Sequence, residues 1–284
     1  MAHVNGASGT YLGAGWMLTA FHVGPGDANF GGTLFPWDGT SLRLTNADGS
    51  STDMVMFHLQ TLPPLPRMAL VTSTPPTAAP VDMIGFGHIA GSAQTNIGSH
   101  TGFYWSASQF KSWGNNQIAS GGTSVINIGL GDLTVFRTVF DAPPSQTSDE
   151  AQAAPGDSGG AVFQKIGATW ELAGMIDAIG TFNDQAFGTA VYDDETYSAD
   201  IATYRPQIAA VVAATVPILS IAHSGTNLTV CWPDTGVTYN LLANHDLSPT
   251  NWNVLSASLT LTNGQFCATL SPTDGANFFR LKSQ

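Results

Sequence analysis

Charge is scarce in this chain. Asp, Glu, Lys and Arg make up only 10% of its 284 residues, which argues against charge-laced helices. Positive charge is scarcer still. Eight Lys and Arg stand against twenty Asp and Glu, a formal net charge of -12, and this excludes long-range attraction to nucleic acid or to an anionic membrane. A neutral or cationic partner suits the chain better. Long apolar runs are missing too: no window reaches the roughly 18 residues that a membrane span needs. The opening "MAHVNGASGT" holds no basic segment followed by an apolar stretch, so no signal peptide is expected within it. Cysteine is nearly absent, with Cys231 and Cys267 alone in the last quarter. Their spacing excludes a paired-cysteine zinc site and leaves one disulfide or two buried thiols. Low Lys with abundant Ser, Thr, Asn and Gly is the composition of a secreted protein, extracellular or periplasmic.

What the chain has in quantity is apolar residues, 43%, punctuated by 31 Gly and 16 Pro. That combination describes short strands joined by turns. "TYLGAGWMLTAFHV", "DMVMFHLQ", "APVDMIGFG", "TSVINIGLGDLTVFRTVF" and "TWELAGMIDAIG" are apolar runs of this kind, each closed by a turn. One helix is predicted, over "RPQIAAVVAATV", with Pro206 in its first turn and Pro217 ending it. Beyond it, "ILSIAHSG", "NLTVCWPD", "VTYNLLANHD", "ASLTLTN", "GQFCATLS" and "ANFFRLK" restart the alternation as a small β-sandwich. The expected domains are therefore residues 1–216 and 217–284, divided near Val216.

The stretch "AAPGDSGGAVF" places Ser158 among glycines. Attack on a carbonyl needs a serine oxygen with open space before it and backbone N–H groups converging on the oxyanion, and small neighbours permit both. A glycine-rich turn or bulge also accounts for the stretch taken alone. A serine nucleophile needs a base. His22 closes the apolar run "GWMLTAFHV", whereas His58, inside "DMVMFHLQ", reads as a strand residue with a satisfied ring. The base in turn needs a buried carboxylate, and Asp53 opens an apolar run that can draw it inward.

The ordered set "LTAFHV", "DMVMFHL" and "GDSGG" resembles the trypsin- or chymotrypsin-like serine endopeptidases, whose motifs run roughly LTAAHC, DIALLKL and GDSGG. "PVDMIGFG", "ELAGMIDAIG" and "FGTAVY" resemble further strands of that family, and the helix from Pro206 resembles its closing helix. The resemblance covers residues 7 to 216 and implies an all-β fold: two six-stranded antiparallel β-barrels, a closing helix, then the small β-sandwich. It implies Ser158 as nucleophile, His22 as general base and then acid, and Asp53 as orienting carboxylate. The N–H groups of Gly156 and Ser158 become the oxyanion hole. The implied partner is a protein or peptide substrate, with no cofactor and no metal; "NADGSSTD" lacks a full calcium-loop pattern.

Three departures from the family follow. The usual N-terminal segment, whose amine pairs with the aspartate before the nucleophile, is not in this sequence, so Asp157 lacks its obvious partner. The protease part has no cysteine, which points to a bacterial type. At the specificity pocket, the floor position falls on Gln152 and the walls near Ile179 and Ala190, favouring small or medium apolar side chains. Asp177 or Asp149 could instead reach the pocket and restore a preference for basic residues.

In the last domain "NLTVCWPD", "YNLLANHDL", "NWNVL" and "NFFRLKSQ" resemble a small β-sandwich module of secreted bacterial proteins. Alternation puts Leu228, Val230 and Trp232 on one face and Cys231 on the other, while Phe266 and Ala268 flank Cys267. A carbohydrate-binding or surface-attachment role is open to the module, although Trp232, Trp252, Phe278 and Phe279 read first as core. Two other readings of the whole chain stand beside the peptidase. One is an inactive protease fold used for binding or adhesion. The other is an α/β-hydrolase esterase, which "GDSGG" also satisfies but the scarcity of helices opposes.

Overall fold

The computed structural model describes residues 1–215, 217–224, 227–233, 238–247, 252–262, 265–270 and 278–283. The chain divides into two compact units, Met1–Val212 and Ala213–Gln284. Val216, at the expected boundary, lies outside the described residues.

The first unit opens with β1 (Ala2–Val4), β2 (Ala7–Gly13), β3 (Trp16–Ala20), β4 (Ala28–Phe30), β5 (Thr33–Phe35), β6 (Trp37–Thr45) and β7 (Ser51–Leu59). These make one seven-stranded antiparallel sheet in the order β5-β4-β1-β2-β3-β7-β6. Then come β8 (Pro80–Gly85), β9 (His88–Ala90), β10 (Thr95–Ile97), β11 (His100–Gln109), β12 (Ser112–Gln117) and β13 (Ser124–Ile126). They are followed by β14 (Leu133–Val139), β15 (Ala161–Ile166), β16 (Thr169–Gly180), β17 (Thr189–Val191) and β18 (Glu195–Asp200). A second seven-stranded sheet runs β12-β8-β15-β16-β18-β14-β13, and β9, β10, β11 and β17 form a smaller one.

Three apolar clusters explain why the central strands are buried on both faces. Val4, Tyr11, Met17 and Phe57 fill the first sheet, and Val81, Met83, Phe136, Val162 and Ile176 fill the second. Between the sheets lie Leu18, Ala20, Met54 and Met56 of the first with Val135, Ala161 and Met175 of the second. In "WMLTA" and "MVMF", alternate residues therefore enter different cores, and the runs read as continuously apolar rather than alternating.

The helix α1 (Ile201–Thr215) begins four residues before Arg-Pro-Gln and holds Pro206 inside rather than in its first turn. Asp200 stands just before the helix and accepts from the Thr203 hydroxyl at 2.7 Å and the Thr74 hydroxyl at 2.8 Å. Pro206 is exposed, so the carbonyl one turn back that it cannot serve is left on the side open to water. Ile201, Tyr204, Ile208 and Val212 make the buried stripe, at the spacing of one helix face.

The second unit holds β19 (Ser220–Ser224), β20 (Asn227–Pro233), β21 (Tyr239–Asn244), β22 (Asn253–Val254), β23 (Leu259–Thr262), β24 (Gln265–Leu270) and β25 (Phe278–Ser283). They form a four-stranded sheet, β19-β20-β24-β23, and a three-stranded one, β22-β21-β25. Leu228, Val230, Trp232, Leu241 and Ala268 are its buried core, with Phe266 and Phe279 packed against it. Cys231 and Cys267 are bonded and sit directly opposite in the β20–β24 register. Trp252 is half-buried and carries the Arg280 guanidinium 4.2 Å above its ring, whereas Phe278 is exposed. Asp234, Asn251, Asn277 and Gln284, from the expected strands, lie outside the described residues.

Candidate active site

Strands β3 and β7 pair with Ala20 opposite Met54, so the residue after β3 and the third residue of β7 meet at one end of the sheet. Phe21 N–H donates to the Asp53 carbonyl at 3.2 Å, which fixes the turn that carries His22. The Asp53 carboxylate then grips His22 twice. Its Oδ1 accepts the His22 backbone N–H at 2.9 Å, and its Oδ2 accepts from Nδ1 at 2.7 Å. Asp53 is buried, while the His22 ring is about a third exposed. With Nδ1 protonated toward Asp53, Nε2 is left as a lone pair able to take a proton. The Asp53 hydrogen bond raises the His22 pKa above its ordinary 6.5, burial opposes it, and the charges of Asp53 and Asp177 add to the rise.

The loop before β15 carries Ser158. Gly156 (φ +96°) and Gly159 (φ +82°) both take left-handed backbone conformations, and a Cβ on Gly159 would overlap the Ser8 carbonyl and the Thr19 hydroxyl. The first sheet clamps this loop. Ser8 N–H donates to the Ser158 carbonyl at 3.0 Å, and the Ser8 hydroxyl donates to the Gly156 carbonyl at 2.9 Å. Ser158 itself is half-buried, and its hydroxyl donates to the Asp177 carbonyl at 3.4 Å, a long contact. Among the described residues no hydrogen bond joins Ser158 to His22. Nor does the N–H of Gly156 or of Ser158 find an acceptor among them, so both can serve an incoming oxygen.

Asp157 has partners other than an amine. Its carboxylate accepts the Gly87 N–H at 2.7 Å and the Ala154 N–H at 2.9 Å. Burial pushes its pKa up to about 6, with these two bonds and the His88 charge pulling it down. Gly85 and Gly87 are bare because a Cβ at either position would overlap this carboxylate. The glycines of "MIGFG" thus make room for an acid far along the chain, 70 residues from Gly87, a relation with no local signal in the sequence.

Asp177 is the residue whose place differs most from expectation. The pairing of β16 with β18 shifts between Ile176 and Ala178, and the bulge turns the Asp177 side chain away from strand alternation. One of its carboxyl oxygens lies within 4.8 Å of a ring nitrogen of His22 and of a carboxylate oxygen of Asp53. Neither of its oxygens has a hydrogen-bond partner, and the residue is 4% exposed. Burial raises its pKa to about 7; the Asp53 charge raises it further and His22 opposes. The three side chains include donors that a divalent cation could use, but an ion there would have to displace the proton of the 2.7 Å His22–Asp53 bond. The set is an acid–base cluster. Its signal in the sequence was an acid inside the apolar run "AGMIDAIG".

The expected pocket residues separate. Gln152 and Ala190 line a cavity of about 230 Å³ together with Ala153, Ile176, Phe103 and Phe140. Gln152 is held by the Thr196 hydroxyl at 3.0 Å and by the Glu195 carbonyl at 3.2 Å. Ile179 packs against the core of the second sheet, and Asp177 faces His22; neither lines this cavity. Asp149 bonds Ser148 and Asn115 at the surface. His58 is tied at both nitrogens, to Asp38 at 2.6 Å and to the Ala14 carbonyl at 3.1 Å.

No protein-family model matches this chain, and no curated protein matches it. Among solved structures it is similar to an inactive mutant of Rv3671c from M. tuberculosis H37Rv, at 15% identity and TM-score 0.44 over 75% of this chain and 83% of that one. It is similar also to the murine norovirus NS6 protease, at 16% identity and TM-score 0.42, over 70% of this chain and 94% of that one. Neuropsin, a serine protease of mouse brain, gives 16% identity and TM-score 0.46 over 72% of this chain and 88% of that one. In class, the chain is the all-β protein expected: antiparallel sheets, with one helix among the described residues and a further small β unit.

Proposed function

We propose that the protein is a serine endopeptidase acting through an acyl-enzyme on Ser158. The observation that carries this reading is the double grip of Asp53 on His22, with Nδ1 held at 2.7 Å, beside a serine on a loop that needs left-handed glycines. In the reaction, Ser158 Oγ adds to the peptide carbonyl while its proton passes to His22 Nε2. The oxyanion accepts from the N–H groups of Gly156 and Ser158. His22 then returns the proton to the leaving amine, and a water deprotonated by His22 releases the acyl group. Ser158 must turn from the Asp177 carbonyl to reach His22, a rearrangement in keeping with the loose hydrogen bonds common in substrate-free sites.

The walls supplied by Ala153, Ala190 and Ile176 favour small to medium apolar side chains in the cavity, where Gln152 is uncharged and Glu150 and Asp157 add acids to the lining. The substrate is accordingly a protein or peptide. A disulfide between Cys231 and Cys267 fits a secreted protein. Among the described residues no helix is long and apolar enough to cross a membrane.

A catalytically silent binding protein is the reading favoured by the Ser158–Asp177 carbonyl bond. A fluorophosphonate probe separates the two. An active site reacts at Ser158, and Ser158→Ala removes both the label and the cuts in a peptide library, lowering kcat by about a millionfold. Absence of any Ser158-dependent label or cut overturns the peptidase.

A further inference from the structure

Two carboxylates and an imidazole share one buried corner, and the hydrogen bonds there are unevenly divided. Asp53 spends both oxygens on His22. Asp177, one of whose carboxyl oxygens lies within 4.8 Å of an atom of each of them, receives no donor at either oxygen. A buried anion without a donor, close to a second anion, is an untenable arrangement. The neutral acid is not, because its O–H supplies the donor that the corner lacks.

We propose that Asp177 is a positioning residue that rests as the protonated acid and turns its O–H toward Asp53, holding that carboxylate in line with His22 Nδ1. The proposal rests on the serine peptidase reading for its effect on catalysis, but not for the proton itself. Asp53 has spare lone pairs beside those it gives to His22, since an ionised carboxylate offers about four acceptor sites. A donor on Asp53 also tempers its attraction for the imidazolium, so His22 stays available as the free base.

The surroundings support a proton rather than a cation side chain as the neutralising partner. From the first sheet the groups facing Asp177 are His22 and Asp53. From α1 the Tyr204 hydroxyl feels its charge, and this hydroxyl donates to Asn46 at 3.0 Å. Along β18, Asp200 is paired opposite Gly174 and Glu195 opposite Gly180. Asp200 accepts from Thr74 and Thr203, and Glu195 is joined to Arg137. Ser198, opposite Ile176, has a buried hydroxyl without a partner. No Lys or Arg acts on Asp177 among the described residues. Burial and the neighbouring carboxylate both favour its neutral form, with a pKa of about 7.

The test compares the wild-type protein with Asp177→Asn, which keeps the shape and a donor, and with Asp177→Ala, which keeps neither. Carboxyl carbon NMR on the wild type reads the proton without any variant: Asp177 is expected to titrate at pH 6 or above. The His22 ring titration should fall by less than a full unit in Asp177→Asn, because the Asp177 charge that raises it is only partly developed where His22 titrates. Hydrolysis by Asp177→Asn should stay within about threefold of wild type, whereas Asp177→Ala should lose kcat at least tenfold with KM little changed. Titration of Asp177 below pH 5, or a fall of a full unit in the His22 pKa of Asp177→Asn, overturns the resting proton. Equal kcat in the Asn and Ala variants overturns the positioning role. If the wild type cuts no peptide, the peptidase reading falls, while the two NMR titrations still decide the proton.

Discussion

At Asp53 one side chain settles three properties of His22: where the ring sits, which nitrogen bears the proton, and how strongly the proton is held. The backbone bond from His22 N–H fixes position, and the Nδ1 bond fixes tautomer. Asp53→Asn keeps the shape but offers the ring an amide, so the wrong nitrogen is protonated; kcat should fall by about 10⁴-fold at neutral pH. The pH profile gives a second check. Because His22 titrates above 6.5 in the fold, and only the free base accepts a proton, kcat/KM should rise with pH through a midpoint above 6.5, and that midpoint should move down in Asp53→Asn. Stability runs with the opposite sign. A raised histidine pKa contributes stability that is fully present below the unfolded value and is lost as pH rises through the folded one. An acid limb that stays put in Asp53→Asn would refute this assignment. Glycine at 159 is equally decisive for Ser158. In Gly159→Ala the new methyl meets the Ser8 carbonyl and the Thr19 hydroxyl in a left-handed conformation, so the loop must move. The left-handed backbone alone costs about 1–2 kcal/mol, and the expected outcome is a lower Tm together with loss of fluorophosphonate labelling. Labelling at the wild-type rate would show that the loop does not depend on this contact.

At the scale of elements, the sequence shows what repeats and hides what breaks the repeat. The paired ends of β3 and β7 were legible because "LTAFHV" and "DMVMFHL" combine an apolar run with a titratable residue beside the end where they meet, His22 and Asp53. The bulge in β16 was not. Strand alternation assigns Asp177 a face, but the shift between Ile176 and Ala178 carries the side chain to the His22–Asp53 corner instead of the pocket. The start of α1 was missed for a similar reason. Pro206 looks like a first-turn residue, yet the helix already runs from Ile201, and the exposed face tolerates the proline. The bond from Gly87 to Asp157 lies beyond any local pattern, because backbone N–H groups are the same in every residue.

Across the whole molecule, burial and covalent bonding divide the work between the two units. Met1–Val212 contains all of His22, Asp53, Ser158 and Asp177 and has no cysteine. Its stability rests on the apolar clusters within and between its sheets. The second unit, Ala213–Gln284, has one modest apolar cluster and the only disulfide, which closes a loop with a sequence separation of 36. A chain this short buries a smaller share of its surface than a large domain does, so the cross-link carries proportionately more of its stability. Restricting the unfolded chain over a loop of that length contributes about 4 kcal/mol in the chain-entropy model, comparable to the whole folding free energy of a small domain. Reduction with a thiol should therefore lower the unfolding temperature of the second unit, read from the Trp232 and Trp252 environment or from hydrogen exchange in β20 and β24. Peptide hydrolysis and fluorophosphonate labelling at Ser158 should be unchanged under the same conditions, since no residue of the site lies beyond Val212. Loss of hydrolysis that tracks reduction of Cys231–Cys267 would show instead that the second unit supports the chemistry of the first.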